Sequence, residues 1–149
     1  MTERTDDLAD LLRQTARSLR RQTFAVVEPY GLSVHQFRAL RLIAGTSEAG
    51  RRARDEPLRI SDVAERMKIA NRSATDVIDH LETKGFVRRV AHPTDRRSIM
   101  VELTDHGSGV LKDVEVHRVA HAERFFGRLG DDEQGRLAEL LRRLQDDAS

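Results

Sequence analysis

LRISDVAERMKIANRSATDVIDHLETKGFVRRVAHPTDRRSIMVEL, residues 58–103, changes its hydrophobic period partway, and that change decides the fold. After a short extended piece, Leu58-Arg59-Ile60, the apolar residues Val63, Ala64 and Met67 fall on one side of a short helix that Ser61 is placed to cap. Ile69-Ala70-Asn71 makes a tight connection to a second helix over 72–84, where Ala74, Val77, Ile78 and Leu81 share one face and Gly85 supplies the stop. Two short helices joined this closely form a helix-turn-helix, which presents the start of its second helix outward. From Phe86 the apolar period shortens to two. Residues 86–91 and 99–103 read as β-strands joined by His92-Pro93-Thr94-Asp95-Arg96-Arg97-Ser98, a hairpin with a basic tip.

On the N-terminal side, Leu8, Leu11, Leu12, Leu19, Val26 and Val27 recur at helical spacing until Pro29-Tyr30-Gly31 stops them. Ser33 can cap a following helix that carries Phe37, Leu40, Leu42 and Ile43 and closes near Gly45. TSEAGRRARDEP, residues 46–57, has no apolar period and reads as an exposed connector in preference to an arm reaching for phosphates. On the C-terminal side, Thr104-Asp105 starts a helix with Val110, Leu111, Val114, Phe125 and Leu129 as its apolar positions. Asp131-Asp132-Glu133 then opens a last helix with Leu137, Leu140, Leu141 and Leu144, its acids suiting the helix dipole. The expected architecture is one domain over 1–149, mainly α with a small β-hairpin wing. A winged helix-turn-helix at 33–103 is flanked by dimerisation helices at 5–30 and 105–147.

The whole-chain charge conceals a local one. With 26 Lys+Arg against 25 Asp+Glu the formal net charge is +1, yet residues 51–100 hold 12 basic and 8 acidic groups while residues 101–149 hold 7 and 11. The middle is the basic part. The absence of Cys removes disulfides, thiolate metal sites and Fe–S clusters and permits a reducing compartment. No run approaches the roughly 18 to 20 apolar residues of a spanning helix, and MTERTDDLADLLRQ lacks the basic-then-apolar order of a signal peptide, so the cytosol is expected. G-x-S-x-G, H-E-x-x-H, a P-loop and G-x-G-x-x-G are all missing, so neither catalysis nor a cofactor is expected.

A winged helix inserts its second helix into a major groove and reaches the adjoining minor groove with the hairpin. Asn71, Arg72, Ser73, Thr75, Asp76 and Asp79 lie off the buried stripe near the start of that helix, where short polar and forked cationic groups can meet phosphates or base edges. A merely solvated helix face would look the same; the basic tip a dozen residues on favours DNA. At the tip, Asp95 is expected to orient one of Arg96 and Arg97 and leave the other for the negative minor groove. The flanking leucine stripes exceed what a small winged helix needs to cover itself, and pairing two copies would set their recognition helices about 34 Å apart.

GLSVHQFRAL at 31–40, LRISDVAERM at 58–67, RSATDVIDHLETKGFVRR at 72–89 and HPTDRRSIMVELTDHG at 92–107 resemble the MarR (multiple antibiotic resistance regulator) family of winged-helix transcription factors over nearly the whole chain. The resemblance implies a homodimer, commonly a repressor, on a palindromic operator of double-stranded DNA, released in many members by a small aromatic or lipophilic effector. It makes Asp95 and Arg97 the wing pair, Arg96 an added backbone contact, and Arg72, Ser73, Thr75 and Asp76 the major-groove readers. Many members carry Arg or Lys where this chain has Asp76, which can accept from a cytosine amino group or orient a neighbouring Arg. Phe24, Tyr30, Phe37 and Leu40 are candidates for an apolar effector cleft, with plain core packing as the alternative for each. His117 and His121, four apart on one helix, leave a metal- or pH-responsive regulator as an alternative. A winged-helix interaction module without DNA affinity is another.

Overall fold

The computed structural model of the chain describes residues 2–45 and 57–146. The N-terminal leucine stripe rides on α1 (Thr2–Val27), which gives way to a 3-10 turn at Glu28–Tyr30 because Pro29 has no N–H to continue the helix. The helix expected over 5–30 therefore stops three residues short. Ser33 caps α2 (Val34–Ile43) as expected. Its hydroxyl accepts from the Gln36 N–H at 3.0 Å, and Gln36 Oε1 accepts from the Ser33 N–H at 3.1 Å. The connector read at 46–57 falls, apart from Pro57, outside the described residues.

Beyond it, β1 (Leu58–Arg59) runs directly into α3 (Ile60–Met67). Two expectations fail here. Ile60 is helical, not extended, and Ser61 lies inside the first turn, not at the cap. Pairing of Leu58 and Arg59 with β3 fixes where the chain leaves the sheet, so the cap position falls on Arg59, whose N–H donates to Asp62 Oδ2 at 3.1 Å. The connection to α4 (Asn71–Thr83) turns through Lys68 in the left-handed region at φ 55°.

Gly85, at φ 74°, ends α4 as expected. Its N–H donates to Glu82 O at 2.8 Å and the Phe86 N–H donates to Leu81 O at 2.9 Å, so both last-turn carbonyls are satisfied. Phe86 thus belongs to the helix stop, and β2 (Val87–Ala91) begins one residue later than the periodicity suggests. With β3 (Ile99–Leu103) it forms the hairpin, and β1 adds an outer strand in the antiparallel order β1-β3-β2. The register sets Val87 opposite Leu103, Arg88 opposite Glu102 and Ala91 opposite Ile99.

Thr104 caps α5 (Asp105–Phe126). Its hydroxyl accepts from the Gly107 N–H at 3.0 Å and donates to Gly85 O at 2.6 Å, tying the end of α4 to the start of α5. Gly107 is compulsory there, because a Cβ would stand 1.9 Å from the Phe86 carbonyl oxygen. Leu129 lies in the turn after α5 and not on it, since the helix stops at Phe126 and α6 (Asp131–Asp146) starts after Gly130.

Val27, Leu40, Val63, Ile78, Leu81, Val87, Val101 and Val114 are fully buried, which places one core where α1, α2 and α5 meet the helix-turn-helix and sheet. Phe37 and Leu40, two of the four residues considered for an effector cleft, are part of that core; Tyr30 is half-buried and Phe24 half-exposed. A groove of about 450 Å³ lies instead at the start of α6, lined by Leu129, Asp132, Glu133, Arg136, Leu137 and Leu140. Among the described residues no helix is long and apolar enough to cross a membrane.

Candidate nucleic-acid interface

Ala74, Ile78 and Leu81 anchor α4 to the core and leave its opposite side in solvent. Asn71, Arg72, Ser73 and Asp76 are exposed there, within the first two turns. Thr75 is half-buried and its hydroxyl donates back to Asn71 O at 3.0 Å, so only its lone pairs face outward. The Ala70 cap contributes no side-chain hydrogen bond and the first turn holds no acid, whereas α6 opens with three acids. The positive end of the α4 dipole is therefore left open to an anionic partner.

Asp79, also read as a groove-facing candidate, is committed elsewhere. Arg89 of β2 reaches it with one nitrogen and Glu82 with another, and the Arg89 backbone N–H donates to Glu82 Oε1 at 3.3 Å. The Asp79 hydrogen bond, ahead of the opposing effect of burial and the added pull of Glu82, pushes the Arg89 guanidinium above its ordinary pKa. On the other face of the hairpin, Arg88 meets Glu102 directly across the ladder, at 2.6 Å from Nε to Oε1.

At the wing tip the backbone is held by two side chains. His92 Nδ1 accepts from the N–H groups of Thr94 at 3.2 Å and Asp95 at 3.0 Å, and Asp95 Oδ1 accepts from the Arg97 N–H at 3.0 Å. Ser98 N–H closes the turn onto Asp95 O at 3.0 Å. This corrects the expected role of Asp95. Its carboxylate shapes the turn through a main-chain bond, and among the described residues it makes no ion pair with Arg96 or Arg97. Both guanidinium-bearing side chains are exposed. The outcome is a hydrogen-bonded turn that presents two cations with no ion-pair partner among the described residues.

Sequence reasoning missed His92 and Arg89. The ring nitrogen of His92 stands two and three residues before the N–H groups it accepts, the spacing at which side chains mimic a turn. For Arg89, the hint is a pair of acids three apart on α4, which share a helix face. His117 and His121 sit on α5, the first exposed and the second half-buried, and among the described residues no cluster of three or more His, Asp or Glu side chains could hold a metal ion.

Residues 53–99 match the model described as the MarR family. Over 144 residues the chain is 28% identical to the HTH-type transcriptional regulator MhqR of Bacillus subtilis, covering 97% of this chain and 93% of that protein. A MarR family protein from Bacillus stearothermophilus superposes with a TM-score of 0.80 at 24% identity, covering 99% and 98% of the two chains. The transcriptional repressor CouR, solved bound to a 23-mer DNA duplex, superposes with a TM-score of 0.78 at 24% identity, covering 97% and 96%. The structural likenesses establish the winged-helix fold with its flanking helices.

Proposed function

We propose that this chain, similar to the MarR family over most of its length, is a member of it and a homodimeric, sequence-specific DNA-binding transcriptional regulator, a repressor released by a small aromatic or lipophilic effector. One observation carries the DNA reading. The uncapped, acid-free start of α4 exposes Asn71, Arg72, Ser73 and Asp76, while a turn locked by His92 and Asp95 presents Arg96 and Arg97. The helix start offers donors and acceptors at major-groove spacing, and the wing offers cations to the narrower groove.

Dimerisation is supported by the apolar side chains that one chain leaves uncovered: Leu8, Leu11 and Leu12 on α1, and Leu140 and Leu144 on α6. Two copies related by a two-fold axis would bury them and present a palindrome-reading pair of α4 helices. The naming of CouR as a repressor supports that sign of regulation here. For the effector, Phe24 on α1 and Tyr30 in the turn that follows it keep accessible surface, so they remain the candidate contacts once Phe37 and Leu40 are assigned to the core. The work is done in the cytosol, where the duplex is.

Selection of bound duplexes from a random pool, read by sequencing, tests this. The expected result is a palindrome whose half-sites repeat at about one helical turn, and an affinity that falls steeply with salt as phosphate contacts release counterions. A pool with no enriched sequence and a flat salt response would refute it in favour of an interaction module.

A further inference from the structure

Arg88 and Arg89 are neighbours on one strand with different fates. Arg88 is 65% exposed and pairs across the hairpin with Glu102, while Arg89 is 25% exposed and turned back onto α4, its two terminal nitrogens on Asp79 and Glu82. Ion pairs at this depth add little to folding stability. A planar fork held by two carboxylates on one helix face does fix direction, because both bonds must keep their geometry together.

We propose that Arg89 is a positioning residue that sets the wing's angle to the recognition helix and withdraws Asp79 from the DNA-facing side; this rests on the DNA-binding reading above. Only Lys84, Gly85 and Phe86 separate α4 from β2, and the Arg89 fork and backbone N–H both close onto α4 just beyond that joint. The wing is a lever. Its tip lies about 15 Å along the strand from Arg89, so a rotation of about 10° at the joint would carry Arg96 and Arg97 by about 3 Å, enough to lose a hydrogen bond. Asp79 stands three residues after Asp76 and four after Thr75, on the helix face offered to the groove. Uncompensated, its charge would oppose phosphates; paired to Arg89, it does not.

The absence of Cys allows a direct test. Spin labels on His80→Cys and Arg96→Cys, in subunits diluted with unlabelled chain, report the distance between α4 and the wing by double electron–electron resonance without DNA. The native Arg89 should give a narrow distribution and Arg89→Gln a broad one. Asp79→Asn with Glu82→Gln should broaden it equally while leaving Arg89 in place, and Arg89→Lys should fall between. On the duplex recovered by selection, Arg89→Gln should weaken binding about tenfold, within the range of coupled groups. The salt slope should stay unchanged, and adding Arg97→Ala should cost less than it does alone. Unchanged distance distributions in both carboxylate and arginine variants would overturn the proposal, as would a salt slope reduced by about one, which marks a phosphate contact. A native protein that binds no duplex defeats the regulatory reading, and the distances then decide the strut by themselves.

Discussion

Val63, Ile78, Leu81, Val87 and Val101 of the winged helix are covered completely within one chain, whereas Leu8, Leu11, Val116 and Leu144 of α1, α5 and α6 keep 61%, 59%, 62% and 64% of their surface in solvent. The first region spends its apolar residues, Ile99 excepted, on the core it shares with α1, α2 and α5 and shows mostly polar and cationic groups outside. The second shows leucines outside, the pattern of half an interface. One region covers its apolar residues within a single copy and the other, in the proposed dimer, covers them only with a second, so damage to each should appear in a different measurement.

The largest expected effect comes from the exposed arm. Leu140→Asp with Leu144→Asp would remove four leucines from the proposed two-fold interface, each worth about 1.5–3 kcal/mol when buried. Sedimentation should show monomers at concentrations where the native chain is dimeric, with the helical circular dichroism retained and operator affinity lost. A dimer that survives both charges would place the interface elsewhere. Ile78→Ala acts inside the core that a single chain completes. It should lower folding stability by about 2–5 kcal/mol in chemical denaturation through the cavity it leaves, and the native-state oligomer should be unaltered. A loss of dimer before any loss of fold would erase the distinction between the regions.

Within the winged helix, the tip and the helix start can be compared in turn. Arg97→Ala should either reduce the salt slope by about one or, if the side chain reads a minor-groove edge, cost about 1–3 kcal/mol with the slope unchanged. Arg72→Ala should relax base preference at one symmetric pair of positions in a repeated selection. Unaltered affinity in the first case, or unaltered preference in the second, would remove that residue from the interface.

What was legible in the chain followed from how local its cause is. The Ser33 cap, the Gly85 stop and the Thr104 start each depend on residues within a few positions, and each is where periodicity and capping chemistry put it. Ser61 has the right chemistry for a cap but loses the position, because pairing of Leu58 with Val101, 43 residues away, decides where α3 begins. Asp95 was recognisable as a turn residue. Its choice of the Arg97 N–H over a guanidinium depended on the turn's three-dimensional shape. Phe37 and Leu40 were legible as apolar and no further, since a core and a cleft ask for the same side chains.

The smallest effect concerns the seam where the two regions join. Thr104 caps α5, the helix that exposes Val116 and Val119, and its hydroxyl also donates to Gly85 O at the end of α4, so one oxygen connects the proposed recognition helix to the arm. Thr104→Val keeps the shape and removes both bonds, leaving the Gly107 N–H and the Gly85 carbonyl without that partner. The expected cost is about 1 kcal/mol, near 2 at most, read as a lower urea midpoint with an unchanged denaturant slope. Thr104→Ser keeps the hydroxyl and should recover most of the loss. If Ser and Val variants unfold together, the hydroxyl contributes nothing, and the seam is held by contacts that do not need it: the Thr104 N–H on Phe86 O at 3.1 Å, the Phe86 and His106 rings, and the packing of Gly107 against the Phe86 backbone.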